Sequence, residues 1–399
     1  MTVPFEQLVE FHDRRRIPLS KQERHQRPGT FPYYGAQGII DSIDDYIFDG
    51  RFLLIAEDGE NLRSRKEPIA FIADGKFWVN NHAHVVRAID KKADADFLRA
   101  YLEFHPLKGF VTGAAQPKLS QSNLKSLPVT VPPFDLQFKI GERVRAVDGL
   151  IEQIGRQIHI LEKTAQLLYD QRFTCFLFPG HEKFELVASE LGPIPKGWAI
   201  SSLGAEIELK RQNIKPYESA DEVFDHYSIP AFDAHRRPKV EAGSDIRSGK
   251  YLLSGQSILV SKLNPRLPRI WRADVTNGSR RAVASTEFLV LSEPMRWPLA
   301  FIYGLVSSTG FTSALASTAG GTSTSHQRVK PADVMATAIV DPPSELVANY
   351  ARAVEPILAM ADVLLRQVEV LRESRDLLLP RLVSGELDIS DSDLEAVGV

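Results

Sequence analysis

The chain of 399 residues contains a single cysteine, Cys175, which excludes a disulfide framework and a zinc site built from cysteines. It has no run of 18 apolar residues, so no segment is predicted to span a membrane. Its first residues, MTVPFEQLVEFHDRRR, lack the apolar core of a secretory signal. These absences favour a reducing compartment, and we expect a cytoplasmic protein.

The sequence motifs of common catalysts are also absent. There is no GxxxxGK[ST] phosphate loop, no GxSxG, no HExxH and no GxGxxG opening a helix. The stretch DPPS at 341–344 approaches an amino-methyltransferase motif, but Ser344 stands where that motif needs an aromatic residue to stack on the base. His82 and His84 share a predicted strand face without further ligands, so surface or hydrogen-bonded histidines are the better interpretation. We therefore predict no catalytic residue, no metal site and no cofactor.

A global excess of basic residues is missing too, because 48 Lys and Arg face 51 Asp and Glu. The charge is nevertheless uneven: residues 191–343 carry 18 basic and 14 acidic residues, whereas residues 344–399 carry 5 and 11. Residues 1–133 (18 and 17) and 134–190 (7 and 9) repeat this alternation more weakly. Because phosphate binding depends on local fields, near-neutrality of the whole chain does not argue against a nucleic-acid partner.

The chain repeats itself at an offset of 210 residues. Pro132-Pro133 recurs as Pro342-Pro343, and the basic–apolar pair Lys118-Leu119 recurs as Arg328-Val329. Similarity at a fixed period indicates a duplicated structural unit.

A long amphipathic helix is predicted after each diproline, with apolar residues spaced alternately by three and four. The first seam comprises Val144, Val147, Ile151, Ile154, Ile158, Leu161 and Leu168, and the second comprises Val354, Ile357, Leu364, Val368, Leu371 and Leu378. The shared spacing favours packing of the helices on each other, although two unrelated helices on separate domains would also fit. Pro356 lies in the second seam, so that helix either starts near it or kinks there.

A mixed, strand-rich region precedes each helix. The apolar runs 52–56 and 257–260 predict buried strands, and 97–104 and 299–306 predict matching short helices. The plan divides the chain into a first globular domain at 1–133, a first long helix at 134–178, a linker at 179–197, a second globular domain at 198–343, a second long helix at 344–385 and an acidic tail at 386–399.

Several segments are specific enough to suggest a family. The stretches YYGAQGII at 33–40, FDG at 48–50, LLIAEDG at 53–59, QPKLS at 116–120 and LGPIPKGW at 191–198 resemble segments of the specificity subunit of type I restriction–modification enzymes. The first domain lacks its own IPxGW start, and Ala336-Thr337 replaces the usual Leu-Pro before the second diproline. The resemblance implies two mixed α/β target recognition domains, separated by two long helices packed as an antiparallel coiled coil, in an internal pseudo-twofold repeat.

The resemblance also implies a function without catalysis. Each globular domain would read one half of a bipartite target in double-stranded DNA, and the helices would set the spacing and dock two methyltransferase (modification) subunits, with or without restriction (endonuclease/translocase) subunits. A protein–protein scaffold, a specificity subunit of a type II-like modification complex and an enzyme with an unrecognised site remain alternatives.

Basic and amide side chains outside the long helices, together with two tyrosines, are the candidate DNA contacts, because Arg, Asn and Gln bind base edges and Lys and Arg bind phosphates. In the first domain they are Arg14, Arg15, Arg16, Lys21, Arg24, Arg27, Tyr33, Tyr34, Gln37, Arg63, Arg65, Lys66 and Lys118. In the second domain they are Arg236, Arg237, Lys262, Asn264, Arg266, Arg269, Arg272, Arg280, Arg281, Gln327 and Arg328. For any single residue the alternative is an ordinary solvated charge.

Overall fold

The structure is a computed structural model that describes residues 1–65, 67–113, 115–294, 296–318 and 327–384. It divides into two compact units: the first combines Met1–Gly155 with the segment from Arg366 onward, and the second is Arg156–Leu365. Each unit therefore contains part of both long helices. The predicted DNA contact Lys66 and the predicted acidic tail 386–399 lie outside the described residues.

The first unit holds twelve strands and four short helices in its described part. The strands are β1 Thr2–Pro4, β2 Val9–Phe11, β3 Pro28–Gly35, β4 Gly38–Ile43, β5 Phe48–Asp49, β6 Phe52–Ala56, β7 Ala70–Ala73, β8 Lys76–Val79, β9 Ala83–Ala88, β10 Val111–Thr112, β11 Lys118–Leu119 and β12 Pro128–Thr130. The helices are α1 Lys21–His25, α2 Asn61–Ser64, α3 Ala95–Phe104 and α4 Gln121–Ser126, and the long helix α5 Phe134–Tyr169 follows.

Two four-stranded sheets form the body of this unit. One has the antiparallel order β2-β9-β6-β7, and the other has the order β4-β3-β8-β5, in which β3 and β8 are parallel. The run 52–56 is confirmed as a strand and is buried at every position. Leu53 and Ile55 belong to one apolar cluster whereas Phe52 and Leu54 belong to another, so both faces of β6 are covered. A strand covered on both faces needs a continuous apolar run, which the sequence supplies.

The second unit is built in the same way. Its described strands are β13 Leu186–Val187, β14 Ile194–Pro195, β15 Ala199–Ser202, β16 Ile207–Lys210, β17 Asn213–Ile214, β18 Val223–Tyr227, β19 Lys239–Ala242, β20 Lys250–Leu252, β21 Gln256–Ser261, β22 Ile270–Asp274, β23 Arg281–Ser285, β24 Phe288–Pro294 and β25 Ala338–Asp341. Its helices are α6 Leu203–Glu206, α7 Ile229–His235, α8 Leu299–Ser307, α9 Thr309–Thr318 and α10 Pro331–Met335, and the long helix α11 Ser344–Ser384 begins here.

The sheets of the two units share one topology. The order β16-β24-β21-β22 matches β2-β9-β6-β7, and β19-β18-β23-β20 matches β4-β3-β8-β5 with β17 added at one edge. The parallel pair β3–β8 has its counterpart in β18–β23. A terminal strand pair also recurs, as β1–β12 and β15–β25. The strands follow the same chain order in both units, so the duplication extends to the way the strands pair.

The correspondence holds for individual residues. In the first unit Ile55 lies opposite His84 on one side and Ala70 on the other. In the second unit Val260 lies opposite Leu289 and Ile270. Register is set by which side chains must face the core, so equal register indicates equal core geometry.

Helices α3 and α8 confirm the predicted matching helices after the sheets. All residues of α8 from Ala300 to Val306 are buried. In the described part of the chain no single helix is long and apolar enough to cross a membrane; the bent pair α8 and α9 passes that test by length and composition alone.

In the first unit the start of α5 and the end of α11 enter the core of the domain. Ile140, Val144, Leu379 and Val383 are buried in one cluster with residues of α3. The diproline ends the extended chain before α5, and the carbonyl of Pro133 accepts the first helical hydrogen bonds.

In the second unit the end of α5 and the start of α11 are buried with α8. Tyr169, Tyr350 and Phe301 form an aromatic cluster, and the hydroxyl of Tyr350 donates a 3.1 Å hydrogen bond to the carbonyl of Ala165. Gly304 on α8 permits this approach, because a Cβ there would lie 2.5 Å from the Tyr350 hydroxyl.

Burial along the long helices departs from the predicted seam at one point. Six predicted positions are buried, namely Val144, Ile151, Ile154, Ile158, Val354 and Val368, and six are half-buried, namely Val147, Leu161, Leu168, Ile357, Leu364 and Leu371. The prediction for Leu378 is wrong, since it is 37% exposed while Leu379 is buried. Leucine occupies both positions, so the spacing alone could not choose between them. Helix α11 begins twelve residues before Pro356 and continues through it.

Candidate nucleic-acid interface

The basic segment before β3 contains two cations that are free in the described part of the chain. Arg14 and Lys21 are exposed and make no hydrogen bond or ion pair there. Their neighbour Arg15 is exposed but donates a 2.5 Å hydrogen bond to the carbonyl of Ile47 and lies 4.7 Å from the centroid of the Phe48 ring. Arg14 and Lys21 are therefore available to phosphate, whereas Arg15 would exchange existing contacts.

Arg16 turns inward instead. Its guanidinium donates a 2.7 Å hydrogen bond to Glu57, and the buried carboxylate of Asp13 lies 3.7 Å away. Asp13 in turn lies 2.7 Å from Nδ1 of the buried His84, whose Nε2 donates to the carbonyl of Leu119 at 2.8 Å. Burial raises the pKa of Asp13, but the hydrogen bond and charge of His84 outweigh it and lower that pKa. Arg16 is part of a largely buried ionic network, and these contacts compete with any role in binding DNA.

Lys118 extends this network to the surface. Its ammonium lies 3.2 Å from Glu57, and its backbone forms an isolated bridge with Asp58. Burial raises the pKa of Glu57, but Arg16 and the other cations outweigh this effect and hold the pKa below its ordinary value. The Lys118 side chain remains 54% exposed, so it keeps access to solvent.

Arg24 and Arg27 brace the β3–β4 hairpin. Arg24 donates a 2.9 Å hydrogen bond to Asp41 and lies over the ring of Tyr33, and Arg27 donates a 2.9 Å bond to Asp44. Tyr33 itself is fully buried, and its hydroxyl accepts a backbone hydrogen bond of 2.8 Å. A fully buried ring cannot reach a base, so Tyr33 is corrected to a core residue.

The hairpin tip is more accessible than its base. Tyr34 stacks on Phe71 at 5.6 Å between ring centroids and is half-buried, and burial raises its pKa. Gln37 lies in the turn between β3 and β4 and is exposed without a polar partner in the described residues. Ile39 and Ile40 follow it and are also exposed. The sequence analysis missed these two isoleucines because an apolar residue near a strand gave no sign of exposure.

Arg63 and Arg65 line a cleft of about 580 Å³ beside the end of α3. Arg65 donates to the carbonyls of Leu102 and His105 at 3.0 and 2.9 Å, and burial lowers its pKa. Arg63 is exposed and donates to the carbonyl of Gly113 at 2.5 Å. Arg65 thus stabilises the carboxyl end of α3, because a cationic side chain can donate hydrogen bonds to the last carbonyls of a helix.

In the second unit, two predicted arginines attach the domain to the long helices. Arg236 binds both oxygens of Glu162 on α5 at 2.9 and 2.6 Å, and Arg272 binds Asp362 on α11 at 2.8 Å. Burial acts to lower the pKa of Arg236, but its hydrogen bonds to Glu162 outweigh this and raise it. These contacts compete with any role in binding DNA.

Most of the remaining arginines are paired with carboxylates. The pairs are Arg269 with Asp233 at 2.5 Å, Arg280 with Asp225 at 2.7 Å, Arg281 with Glu222 at 3.1 Å and Arg328 with Glu287 at 3.1 Å. Arg237 is half-buried and also has a polar contact. Every one of these carboxylates is distant in sequence, which is why residue types alone did not reveal the pairing.

The loop between β21 and β22 presents the exception. Asn264 has a left-handed backbone (φ 49°), and its N–H donates a 2.8 Å hydrogen bond to the carbonyl of Gln327. Lys262 is half-buried, and burial lowers its pKa. At the tip, Arg266 is exposed with no polar partner in the described residues, beside the exposed Leu267. A loop fixed at its base and bearing a free guanidinium can approach a base edge or a phosphate.

The described residues offer no site for a metal. No group of three or more His, Cys, Asp or Glu side chains is arranged there to hold an ion. His82 lies in the turn before β9 and pairs with Asp58 at 2.8 Å, while His84 is buried against Asp13.

Comparison with known proteins identifies the first part of the chain most clearly. The profile of the type I restriction modification DNA specificity domain matches residues 1–162. A protein of Haemophilus influenzae classed by name among type I restriction enzyme specificity subunits is 33% identical over 38% of this chain, and the chain spans 38% of that relative. The MjaIX type I restriction enzyme specificity subunit of Methanocaldococcus jannaschii is 25% identical over 85% of this chain and 80% of its own length.

A solved structure extends the similarity to the fold. The S subunit of a type I restriction–modification system from M. genitalium superposes with a TM-score of 0.58 at 14% identity, covering 98% of this chain and 96% of the other. At that identity the likeness concerns the fold alone.

Proposed function

Because residues 1–162 match the type I restriction modification DNA specificity domain and most of the chain is similar to a type I specificity subunit, we propose that the chain belongs to this family and is a non-catalytic subunit that gives such a complex its DNA sequence specificity. Each globular domain reads one half of a bipartite target in double-stranded DNA. The two long helices pack as an antiparallel coiled coil that sets the distance between the half-sites. Methylation, and any cleavage, reside in partner subunits.

The observation that carries this proposal is the residue-level repeat of the two units. A split DNA target needs two reading surfaces of similar construction, and the sheets of both units share strand order and register. We propose that the units are related by a pseudo-twofold axis, which would let two identical methyltransferase subunits dock equivalently. Restriction subunits would join that assembly or be absent from it.

The reading surfaces are proposed to centre on the predicted side chains that are exposed and have no polar partner among the described residues. In the first domain these are Arg14, Lys21 and Gln37, and in the second the tip of the β21–β22 loop around Arg266. Lys118 and Arg63 are secondary candidates because they are exposed although already hydrogen-bonded or paired. Arginines held by carboxylates would orient the loops, since moving them to DNA would leave an acidic group without its partner.

Selection from random DNA tests the proposal directly. The full chain, assembled with its methyltransferase partner, should enrich a motif of two short half-sites separated by a gap of fixed length. Enrichment of no motif would favour the alternative of a protein–protein scaffold. Methylation of the enriched motif by a complex that no restriction subunit joins would favour a type II-like modification complex, whereas DNA cleavage after a restriction subunit has joined would favour a type I system.

A heptad inserted into both long helices tests the role of the helices. Seven residues lengthen a helix by about 10 Å, which corresponds to roughly three base pairs of DNA. The gap in the enriched motif should therefore grow by about three base pairs while the half-sites stay unchanged. An unchanged gap would contradict the spacer role and leave sequence recognition intact.

Incubation of the purified chain with labelled adenosylmethionine and target DNA tests the absence of catalysis. We expect no methyl transfer from this chain alone and transfer when the methyltransferase is added. Transfer by the chain alone would contradict the proposal.

A further inference from the structure

The helix ends in the two units differ in chemistry at equivalent positions. In the first unit the start of α5 contributes Ile140 and Val144, and the end of α11 contributes Leu379 and Val383. All four are aliphatic and buried.

The second unit places aromatic residues at the same points. At an offset of 210 residues Ile140 corresponds to Tyr350, and Leu379 and Val383 correspond to Tyr169 and Phe173. Tyr169 is the last residue of α5, and Phe173 lies in the π-helical turn Asp170–Thr174 that continues it, so both are counted here as the end of α5. Tyr350 and Phe173 pack edge to face with ring centroids 5.4 Å apart, and Tyr169 lies 5.9 Å from Tyr350. The aromatic side chains occupy much more volume than the aliphatic ones that they replace.

The next turn of the helices differs in charge. In the first unit Arg375 of α11 donates a 2.7 Å hydrogen bond to Asp148 of α5, which also binds Arg99 of α3. At the offset of 210, Leu358 stands in place of Asp148 and Ala165 in place of Arg375, and both belong to the core of the second unit. An ionic contact in one unit thus corresponds to two residues of the apolar core in the other.

We infer that the side chains of the two long helices favour pairing of α5 with α11. Two copies of α5 would not fit each other, and neither would two copies of α11. A duplicated chain faces this choice because two copies of one half could otherwise pair through the shared topology. The inference concerns pairing between polypeptides and is independent of DNA recognition.

Pairing of α5 with another α5 would bring together residues that do not fit. Tyr169 and Phe173 would occupy the space that Leu379 and Val383 fill beside Ile140, which overpacks the core. Asp148 would face an alanine and lose its contact with Arg375.

Pairing of α11 with another α11 would fail in the opposite way. Leu379 and Val383 would replace Tyr169 and Phe173 against Tyr350 and leave a void. Arg375 would face Leu358, an apolar residue that offers its guanidinium no acceptor.

The test uses the full chain with a protease site placed in the turn 189–192, where Glu190 and Leu191 are exposed, so that the folded protein can be cut between its halves. Light scattering gives the mass of the intact protein, and native mass spectrometry after cutting identifies which halves remain paired. We expect the unmodified protein to be a monomer whose halves are paired N-terminal with C-terminal, with like pairs at about 1% or less.

The informative variant carries Arg375→Ala, Leu379→Tyr and Val383→Phe, which give the end of α11 the residues found at the end of α5. It should form dimers through α11–α11 contacts, and C-terminal like pairs should rise at least tenfold after cutting. The control carries the same types of substitution at exposed positions of the same helix, namely Arg366→Ala, Leu377→Tyr and Val370→Phe. It should behave as the unmodified protein.

The converse variant, Tyr169→Leu with Phe173→Val, should raise N-terminal like pairs instead. If circular dichroism shows that the first variant does not fold, the converse variant provides the test of selective pairing. Abundant like pairs in the unmodified protein, or failure of both variants to form the predicted like pairs, would overturn the inference.

Discussion

Some structurally equivalent positions hold polar or charged side chains in the first unit and apolar side chains in the second. His84 in β9 and Leu289 in β24 occupy the same register position, yet one is a buried imidazole paired with Asp13 and the other is aliphatic. Asp148 and Leu358 differ in the same way on the long helices. At these two positions the units share a place in the fold and differ in the groups that occupy it.

The difference teaches that strand register and packing of the core specify this fold. A charged residue can replace an apolar one at a given position if the residue that contacts it changes as well. A buried ion pair contributes little net stability over a well-packed apolar pair, although removing one partner alone is strongly destabilising. The four predictions below test where each unit depends on packing and where it depends on charge.

The largest effect is expected from Phe301→Ala in the second unit. Phe301 is fully buried and contacts Trp297, Phe173 and Tyr169 at centroid distances of 4.7, 4.9 and 5.4 Å. Its removal should lower the free energy of unfolding by about 3–5 kcal/mol, because a cavity would open in the aromatic cluster. Urea unfolding, with hydrogen exchange of peptides from each unit, provides the measurement.

The matched substitution is Phe97→Ala, at the same position from the start of α3. Phe97 is also fully buried, but its nearest aromatic ring is that of Tyr101 at 6.2 Å in the described residues. The loss should lie toward the lower end of that range and appear in peptides of the first unit. If Phe97→Ala lowered the free energy of unfolding as much as Phe301→Ala or more, the second unit would not depend on its aromatic cluster more than the first unit depends on its core.

The second prediction is that His84→Leu destabilises the first unit. This substitution places in the first unit the residue type that the second unit has at the equivalent position, Leu289. Asp13 would stay buried without its imidazole partner, and the free energy of unfolding should fall by about 2–4 kcal/mol. Adding Asp13→Asn should recover part of the loss because it removes a buried charge whose remaining charged neighbour, Arg16, lies 3.7 Å away. Full stability of the single variant would show that the ionic network is dispensable.

The third prediction concerns pH. The folded protein lowers the pKa of Asp13 and of Glu57 below their ordinary values of 3.8 and 4.5. A lowered carboxyl pKa stabilises the fold above the ordinary value, and that stabilisation is lost as the pH falls toward and through the folded value. The stability difference between the unmodified protein and Asp13→Asn should thus be full near pH 6 and shrink below about pH 4. A difference that is constant with pH would contradict this role.

The smallest effect on stability is expected from Arg266→Ala. Its side chain is exposed and free in the described residues, so the free energy of unfolding should change by less than about 0.5 kcal/mol. Affinity of the assembled complex for target DNA should fall by about 1–3 kcal/mol if Arg266 reads a base. Arg269→Ala, which breaks the pair with Asp233, is the control and should affect DNA binding less. Equal losses of affinity would contradict the distinction between free and paired arginines.

Much of the fold was predictable because it rests on local patterns. The run 52–56 predicted a buried strand, and the spacing after each diproline predicted long helices. The choice between Leu378 and Leu379 was not predictable, since two adjacent leucines satisfy the spacing equally and only the surrounding core selects one.

The candidate site was less predictable than the fold. Arg16, Arg24 and Arg236 are the residue types that bind DNA, yet each is held by a carboxylate between 17 and 74 residues away. Tyr33 and Tyr34 are adjacent in sequence, but β3 directs the first into the core and leaves the second half-buried.

The sequence by itself determined the duplication, the buried strands and the long helices, because these follow from periodicity and from residues that lie near each other along the chain. Only the tertiary structure decided which cations remain free, because pairing depends on groups brought together from distant segments. The same reason applies to the contrast between the units. Whether an aspartate such as Asp148 or a leucine such as Leu358 fits at equivalent positions depends on the residue that the other long helix supplies, Arg375 in the first unit and Ala165 in the second.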